Sequence, residues 1–483
     1  MLEATAMTHK TFDTFASDWS GCTNVAFEKV IQKFKANNAG HKDMLAVLAA
    51  VTEIIKAEGG KETETEYFAA LMTTLEVSTD DASLAAVVRL LSLVIKKVPH
   101  PVLISRFSQI NTLLMSTLST HSQSANVSLL RGILGCLSVL LRVQTSANWS
   151  LPETTHTLSS LLSFTCHPKP KIRKAAQHAV VSIVRGSDPA MIPHPSAGQA
   201  ANYCITTITA SSPQDNAVLY MLTMLREILP VLPRSATKNS CETILKLLTL
   251  GSTILVSTGF SSLHGLFSGR PSVSCLPGDM NGQLVTALYD YKPGLNDTGP
   301  MVAWLATMQE GIINMGINSP DLVESHLARF CTSVAECWLS DRGDVVRAAG
   351  LAVKAVLGEV GRGMGKGVAT RVVEIVGEGV KYQFSGAWQT VLGVLVMVVE
   401  VSNWFQLMNT GHGLTRGIGV LLGRPGVLGH VGADSPAHLC PPNTLLVSGR
   451  KSHSFKEALN RPLTSYFPGC WSKASRYSDP VIA

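Results

Sequence analysis

The feature that most constrains this chain is a helical pattern that returns along most of its length. Each copy has a loop rich in Asp, Asn, Ser, Pro or Gly, followed by a helix with small and aliphatic residues on one face. Two clear copies begin at Asp80 and Asp341. In a third copy the apolar residues fall at i, i+3, i+4, i+7, i+8, i+11 and i+12, one stripe of an α-helix. These residues are Ile172, Ala175, Ala176, Ala179, Val180, Ile183 and Val184.

The helix starts recur at intervals of about 43 residues, and HEAT and armadillo repeats are about 40–47 residues long. The spacing therefore predicts an all-α fold, a HEAT/armadillo-like helical-repeat solenoid that forms a superhelix. Strict polar–apolar alternation is rare, and the breaks recur too often for a coiled coil. The nine starts are Met44, Leu84, Val127, Ile172, Ala217, Thr253, Met301, Val345 and Trp388, with companion helices at 103–119, 155–164, 199–209 and 239–250.

The repeat pattern also predicts a domain organisation. We expect N-terminal capping helices in residues 1–40 and about nine HEAT-like repeats in residues 41–401. From Ser402 onward the helical stripe disappears, and eight glycines fall within the 22 residues that begin at Gly411. Because each glycine costs a helix about 1 kcal/mol relative to alanine, residues 402–483 are predicted to form a disordered, atypical tail rich in Gly, Pro and Ser.

Composition supports a large buried core and excludes several classes of protein. The 483 residues are 46% hydrophobic and only 15% charged, with a net charge of +6. A disordered polyampholyte or a polycationic tail is therefore excluded. The longest apolar run, 391–399, is too short for a membrane span of about 20 residues. The ten cysteines are scattered without a CxxC pair, which predicts reduced thiols in an intracellular compartment and no zinc site.

The segments of the sequence that resemble catalytic motifs do not match the established patterns. The glycine-rich segment 361–367 lacks the Ser or Thr of a phosphate loop. We interpret it as a flexible link, with an RNA-contacting Arg–Gly loop as the alternative. Cys166 and His167 are adjacent in sequence, whereas a catalytic pair meets across a fold. The alternating Glu62, Glu64 and Glu66 look like a solvated helix start. The sequence predicts no enzyme, no cofactor, no metal and no small-molecule substrate.

The position of one basic patch favours the binding of an anion. Pro170 suits the first position of a helix, so the neighbouring cations lie in the first turn, where they oppose the helix dipole. An anion would relieve that repulsion, which favours contact with a phosphate backbone or an acidic protein, while a solvated outer face is the alternative. The patch comprises Lys169, Lys171, Arg173 and Lys174, with His178 on the same stripe and a possible extension at Lys96, Lys97 and Arg106.

Four longer strings resemble one known family. Residues 46–55, 59–75, 162–178 and 285–291 are similar to the N-terminal region of the ribosomal RNA processing protein twelve family, and the resemblance extends over roughly 4–401. It implies a non-enzymatic HEAT superhelix of the nucleolus and nucleus. Such a protein would bind pre-ribosomal RNA and proteins during assembly of the small ribosomal subunit and export of pre-ribosomes. Family members are much longer, and residues 402–483 do not match the family pattern.

We therefore expect a scaffold of ribosome biogenesis, since stacked repeats form extended surfaces that hold partners. Nucleocytoplasmic shuttling and contact with the nuclear transport machinery are part of this expectation. Two alternatives are a HEAT adaptor like a nuclear transport receptor and a general protein-interaction scaffold, because fold alone does not separate these functions.

Overall fold

The computed structural model describes residues 22–32, 38–186 and 191–360, and every regular element in these ranges is helical. The predicted all-α fold is confirmed. The α-helices are α1 (Glu28–Gln32), α2 (Ala39–Ala57), α3 (Glu64–Val77), α4 (Asp81–Val94), α5 (His100–Ser105), α6 (Phe107–Thr120), α7 (Val127–Arg142), α8 (Pro152–Ser163), α9 (Pro170–Arg185), α10 (Ala197–Ala210), α11 (Asn216–Ile228), α12 (Arg234–Leu248), α13 (Thr253–Ser268), α14 (Gly278–Asp290), α15 (Thr298–Asn318), α16 (Pro320–Ala335) and α17 (Gly343–Val360).

The helices form two layers. The B layer contains α2, α4, α7, α9, α11, α13, α15 and α17, and each of these packs against the next one in the layer. The A layer contains α3, α6, α8, α10, α12, α14 and α16, and each packs against the B helix that follows it. A stack of A–B pairs in which each unit contacts its neighbours is the architecture of a helical-repeat solenoid.

Neighbouring B helices run parallel to each other. At the start of the layer, Asn126 Nδ2 donates to the carbonyl of Asp81 at 3.3 Å, which joins the beginnings of α7 and α4. Further along, the hydroxyls of Ser138 and Ser182 lie 3.1 Å apart, which joins the later turns of α7 and α9. The B helices therefore begin at one edge of the array and end at the other.

Local capping explains why the helix starts are visible in the sequence. Asp80 accepts a hydrogen bond from the Ser83 amide at 2.9 Å and caps α4. Asn126 caps α7 and Asp215 caps α11 in the same way. Such side chains satisfy amides that a helix start leaves unpaired. The eight predicted starts within the described ranges all lie in the first two turns of a B helix.

The companion helices also agree with the pattern, with one difference. The predicted helix 103–119 is broken at Arg106, whose φ of −104° and ψ of 14° separate α5 from α6. Several predictions concern residues outside the described ranges: most of the N-terminal cap, the glycine-rich segment 361–367, the helix start at Trp388 and the tail 402–483. The division into domains therefore stays a prediction. None of the described helices is both long and apolar enough to cross a membrane.

Candidate nucleic-acid interface

The basic patch predicted from the sequence lies at the beginning of α9. Lys169 has an extended backbone, and Pro170 occupies the first turn, where its missing N–H costs nothing. Lys171 and Lys174 are exposed, and neither has a carboxylate within ion-pairing distance in the described part of the chain. His178 is exposed one turn after Lys174. These three side chains share the outer face of the B layer, the side away from the A helices.

The other two cations of the patch are held within the protein. Lys169 Nζ donates to the Ser124 carbonyl at 3.2 Å, which ties the start of α9 to the loop before α7. Arg173 Nη1 donates to the carbonyl of His167 at 2.9 Å, and its guanidinium lies 3.7 Å from the centre of the Tyr220 ring. Both side chains are half-buried. Only Lys171 and Lys174 therefore present a full, exposed charge at this helix start.

The neighbouring imidazole and thiol contribute no reactive group. Burial lowers the pKa of His167, and the charges of Lys169 and Arg173 lower it further. Its Nδ1 accepts the Lys169 amide at 3.1 Å, so the ring shapes the loop. Burial raises the pKa of the Cys166 thiol, which keeps it protonated. Among the described residues, no group of three His, Cys, Asp or Glu side chains is arranged to hold a metal ion.

The proposed extension lies away from the start of α9. Lys96 and Lys97 are exposed just after the last turn of α4. Because the B helices are parallel, this end of α4 lies at the opposite edge of the layer from the beginning of α9. Arg106 is exposed between α5 and α6, on the A-layer side. The structure thus does not bring these three residues together with Lys171 and Lys174.

The structure also reveals exposed cations beyond the candidate phosphate contacts that the sequence predicts. The outer faces of α4, α7, α9 and α11 form one continuous surface, which we call the basic face. The helices α7 and α9 contain no Asp or Glu, and the only acids in α4 and α11 are Asp81 and Glu227. The exposed cations of the basic face are Arg89, Lys96, Arg131, Arg142, Lys171, Lys174, Arg185 and Arg226.

Most of this charge is not neutralised by the protein. Arg185 is paired with Glu227, whose carboxylate lies 3.4 Å from its Nη2. The other seven cations have no carboxylate within 4 Å among the described residues. The two B helices that flank the basic face differ from it in charge. Helix α2 carries the acids Asp43 and Glu53, and α13 carries no Asp, Glu, Lys or Arg. The result is a surface four helices wide on which exposed cations far outnumber acids.

A cleft of about 260 Å³ lies at the last helix of this face, between α11 and α13. Most of the hydroxyls that line it donate to helix carbonyls, as Thr258 does to Ile254 at 2.7 Å, and Ser262 also reaches the carbonyl of Leu222 on α11 at 2.9 Å. Donors for a ligand would therefore come from the guanidinium of Arg226 and the hydroxyl of Ser257. The lining residues are Thr223, Arg226, Ser257, Thr258, Ser261 and Ser262. This arrangement offers hydrogen bonds and one charge, and none of the lining residues is a carboxylate, an imidazole or a thiol.

A stack of helix pairs in which each unit contacts its neighbours defines the class of helical-repeat solenoid proteins. The family model described as RRP12-like, N-terminal HEAT repeats, matches residues 24–272. The chain therefore belongs to the RRP12-like family, and the resemblance found in the sequence is confirmed.

Several curated relatives support this assignment. The chain is 42% identical over 416 residues to the RRP12-like protein of Gallus gallus, covering 82% of this chain and 32% of the relative. It is 42% identical over 414 residues to the RRP12-like protein of Homo sapiens, with the same coverage. The Ribosomal RNA-processing protein 12 of Saccharomyces cerevisiae is 22% identical over 334 residues, covering 60% of this chain and 27% of the relative. This chain spans about a third of the length of these relatives.

Proposed function

We propose that this chain is a non-enzymatic scaffold of ribosome biogenesis that binds pre-ribosomal RNA and proteins in the nucleus and nucleolus. Family membership supports this proposal, since the yeast relative is named for the processing of ribosomal RNA. Roles in small-subunit maturation, in export and in nucleocytoplasmic shuttling belong to the same proposal. The observation that carries it is the basic face.

Phosphate binding explains the excess of cations on the basic face better than solvation does. A solvated protein surface usually mixes charges of both signs, whereas α7 and α9 expose cations and contain no acid. Cations brought close together repel each other, and a polyanion removes that repulsion while releasing counterions from its own phosphates. The beginning of α9 adds the positive end of a helix dipole. Together these features support binding to a phosphodiester backbone.

Recognition of RNA by the basic face should depend little on the nucleotide sequence of the RNA. Specific recognition of unpaired bases uses exposed aromatic side chains as stacking platforms. Every Phe, Tyr and Trp side chain in the described ranges is buried or half-buried. Tyr220, the one nearest to the patch, is covered by Arg173. The expected contacts are with the backbone, which positions a nucleic acid without reading its bases.

The test uses a charge-reversal pair and a matched control. Lys171→Glu with Lys174→Glu changes the basic face, whereas Lys238→Glu with Lys246→Glu makes the same change in net charge on α12 of the A layer. We expect the first pair to reduce the slope of log K against log salt by about 1.4 units, at about 0.7 per phosphate contact. The control pair should leave the slope within experimental error. Equal slopes for both pairs would contradict the proposal.

The transport-adaptor alternative makes a different prediction. A transport receptor should bind a small transport GTPase in a manner that depends on the bound nucleotide. A pull-down with the GTP-loaded and GDP-loaded forms measures this directly, and we expect no nucleotide-dependent capture. Nucleotide-dependent capture together with a salt slope unchanged by Lys171→Glu and Lys174→Glu would favour the transport adaptor instead.

A further inference from the structure

We infer that the basic face binds a double-stranded RNA stem by contacting the phosphates of both strands. This inference rests on the proposed function and goes beyond it, because it names the form of RNA that the surface fits. It is carried by the arrangement of the exposed cations in two rows, by the small side chains at two positions between the rows and by the absence of exposed Phe, Tyr and Trp side chains in the described ranges.

The cations of the basic face fall into two rows that run across the B helices. The first row crosses the early and middle turns, and the second row crosses the final turns. The hydroxyls of Ser138 and Ser182 lie 3.1 Å apart, so α7 and α9 are parallel and in register. The first row runs across α4, α7 and α9, and the second row continues onto α11. The first row contains Arg89, Arg131, Lys171 and Lys174, and the second row contains Lys96, Arg142, Arg185 and Arg226.

Helix geometry sets the distance between the rows on α7 and α9, whereas Arg89 and Lys96 are only seven residues apart. Arg131 and Arg142 on α7 are separated by three helical turns, as are Lys174 and Arg185 on α9. Three turns return a side chain to the same face and span about 16 Å along the axis. Neighbouring helix axes lie about 8–10 Å apart. On α7 and α9, the spacing between neighbouring cations within a row is therefore shorter than the distance between the two rows. Two separated lines of charge match two phosphate strands.

Two positions between the rows carry small side chains. Gly135 lies between Arg131 and Arg142 on α7, and a Cβ built there would have no neighbour within 4 Å. Ser182 occupies a half-buried position before Arg185 on α9, whereas the exposed imidazole of His178 stands one turn after Lys174. Small side chains let the shallow minor-groove surface of an A-form duplex approach the helices, where shape, 2′-hydroxyls and phosphates are recognised.

A single strand fits the same surface less well. It presents one line of phosphates and would use one row of cations, and its unpaired bases would find no exposed Phe, Tyr or Trp ring among the described residues. A duplex hides its bases and needs no such ring. The two-row arrangement therefore favours a stem over a single strand, and an acidic protein would not require two parallel lines of charge.

The experiment compares one RNA duplex with each of its separated strands, using the full chain. The first-row variant is Arg131→Gln with Lys174→Gln, and the second-row variant is Lys96→Gln with Arg142→Gln. All four side chains are exposed and have no carboxylate partner in the described part of the chain, so folding should survive, and circular dichroism checks this. Polyglutamate of matched charge serves as the protein-like competitor.

We expect the unmodified chain to bind the duplex at least about ten-fold more tightly than either strand. Each row variant should lose about ten-fold in duplex affinity, the scale for two lost phosphate contacts. Equal affinity for duplex and single strands, with both variants weakened, would overturn the duplex inference and leave RNA binding intact. A loss confined to one row would also overturn it. Binding of polyglutamate in preference to every RNA would overturn both the inference and the proposed function.

Discussion

The guanidinium of Arg173 lies 3.7 Å from the centre of the Tyr220 ring, so a cation on α9 covers an aromatic ring on α11 of the next repeat. The same guanidinium donates to the carbonyls of His167 and Pro168 at 2.9 and 3.3 Å. One side chain thus joins the loop before its own helix to the following repeat. The consequence is that Arg173 holds two repeats together, although the sequence places it among the candidate phosphate contacts.

We expect Arg173→Ala to lower the free energy of unfolding by about 1–3 kcal/mol, the combined scale of a partly buried cation–π contact and one or two hydrogen bonds. Lys174→Ala, one position further along the same helix, should change it by less than about 0.5 kcal/mol because the side chain is exposed. Chemical denaturation of both variants measures the difference. Equal stability of the two variants would show that the Tyr220 contact contributes nothing.

Two glycines on α7 make a matched pair for testing how closely the B helices pack. A Cβ at Gly132 would lie 2.5 Å from Val88 Cγ1 on α4, whereas a Cβ at Gly135 would meet nothing within 4 Å. We expect Gly132→Ala to destabilise the chain by about 1–3 kcal/mol through overpacking. Gly135→Ala should stabilise it by up to about 1 kcal/mol through helix propensity. Thermal unfolding curves that move in the same direction for both variants would be inconsistent with this packing.

His194 should make stability depend on pH. Burial lowers the pKa of this histidine to about 4, well below the value of about 6.5 expected in the unfolded chain. Between these values the unfolded state binds more protons than the folded state, so stability falls as the pH falls from about 6.5 toward 4. Protonation of His194 lowers the free energy of unfolding by at most about 3 kcal/mol.

The measurement is the melting temperature at pH 7 and pH 5. In His194→Asn the amide oxygen can take over the acceptor role of Nδ1, which lies 2.7 Å from Ser196 Oγ. This variant should lose less stability between the two pH values than the unmodified chain does. His178→Asn changes an exposed imidazole and should behave like the unmodified chain. A pH dependence that persists in His194→Asn would assign the effect to other groups.

The sequence predicts the fold well because its signals are local. Asp80 and Asn126 cap helices through amides two or three residues away, and the apolar stripe of each helix repeats within that helix. The break at Arg106 was not predicted, because the helical pattern continues through it. Wherever a helix boundary depends on neighbouring residues alone, the pattern in the sequence is sufficient.

The candidate site is less predictable because its geometry depends on contacts one repeat apart. Lys169 reaches Ser124 and Arg173 reaches Tyr220, contacts between residues more than forty positions apart, so their structural roles are invisible in a local pattern. The basic face became apparent only when the order and direction of the B helices were known. One signal was present from the start: two consecutive B-helix segments, 127–142 and 170–185, contain cations and no acid.

The most direct test of the central claim is ultraviolet crosslinking of the chain expressed in cells, with sequencing of the bound RNA and mapping of the crosslinked peptides. We expect the RNA to be enriched in precursors of ribosomal RNA. The nucleotide adducts should fall on peptides from α7 and α9. Adducts confined to A-layer helices such as α10 and α12, or RNA without enrichment of ribosomal precursors, would contradict the account.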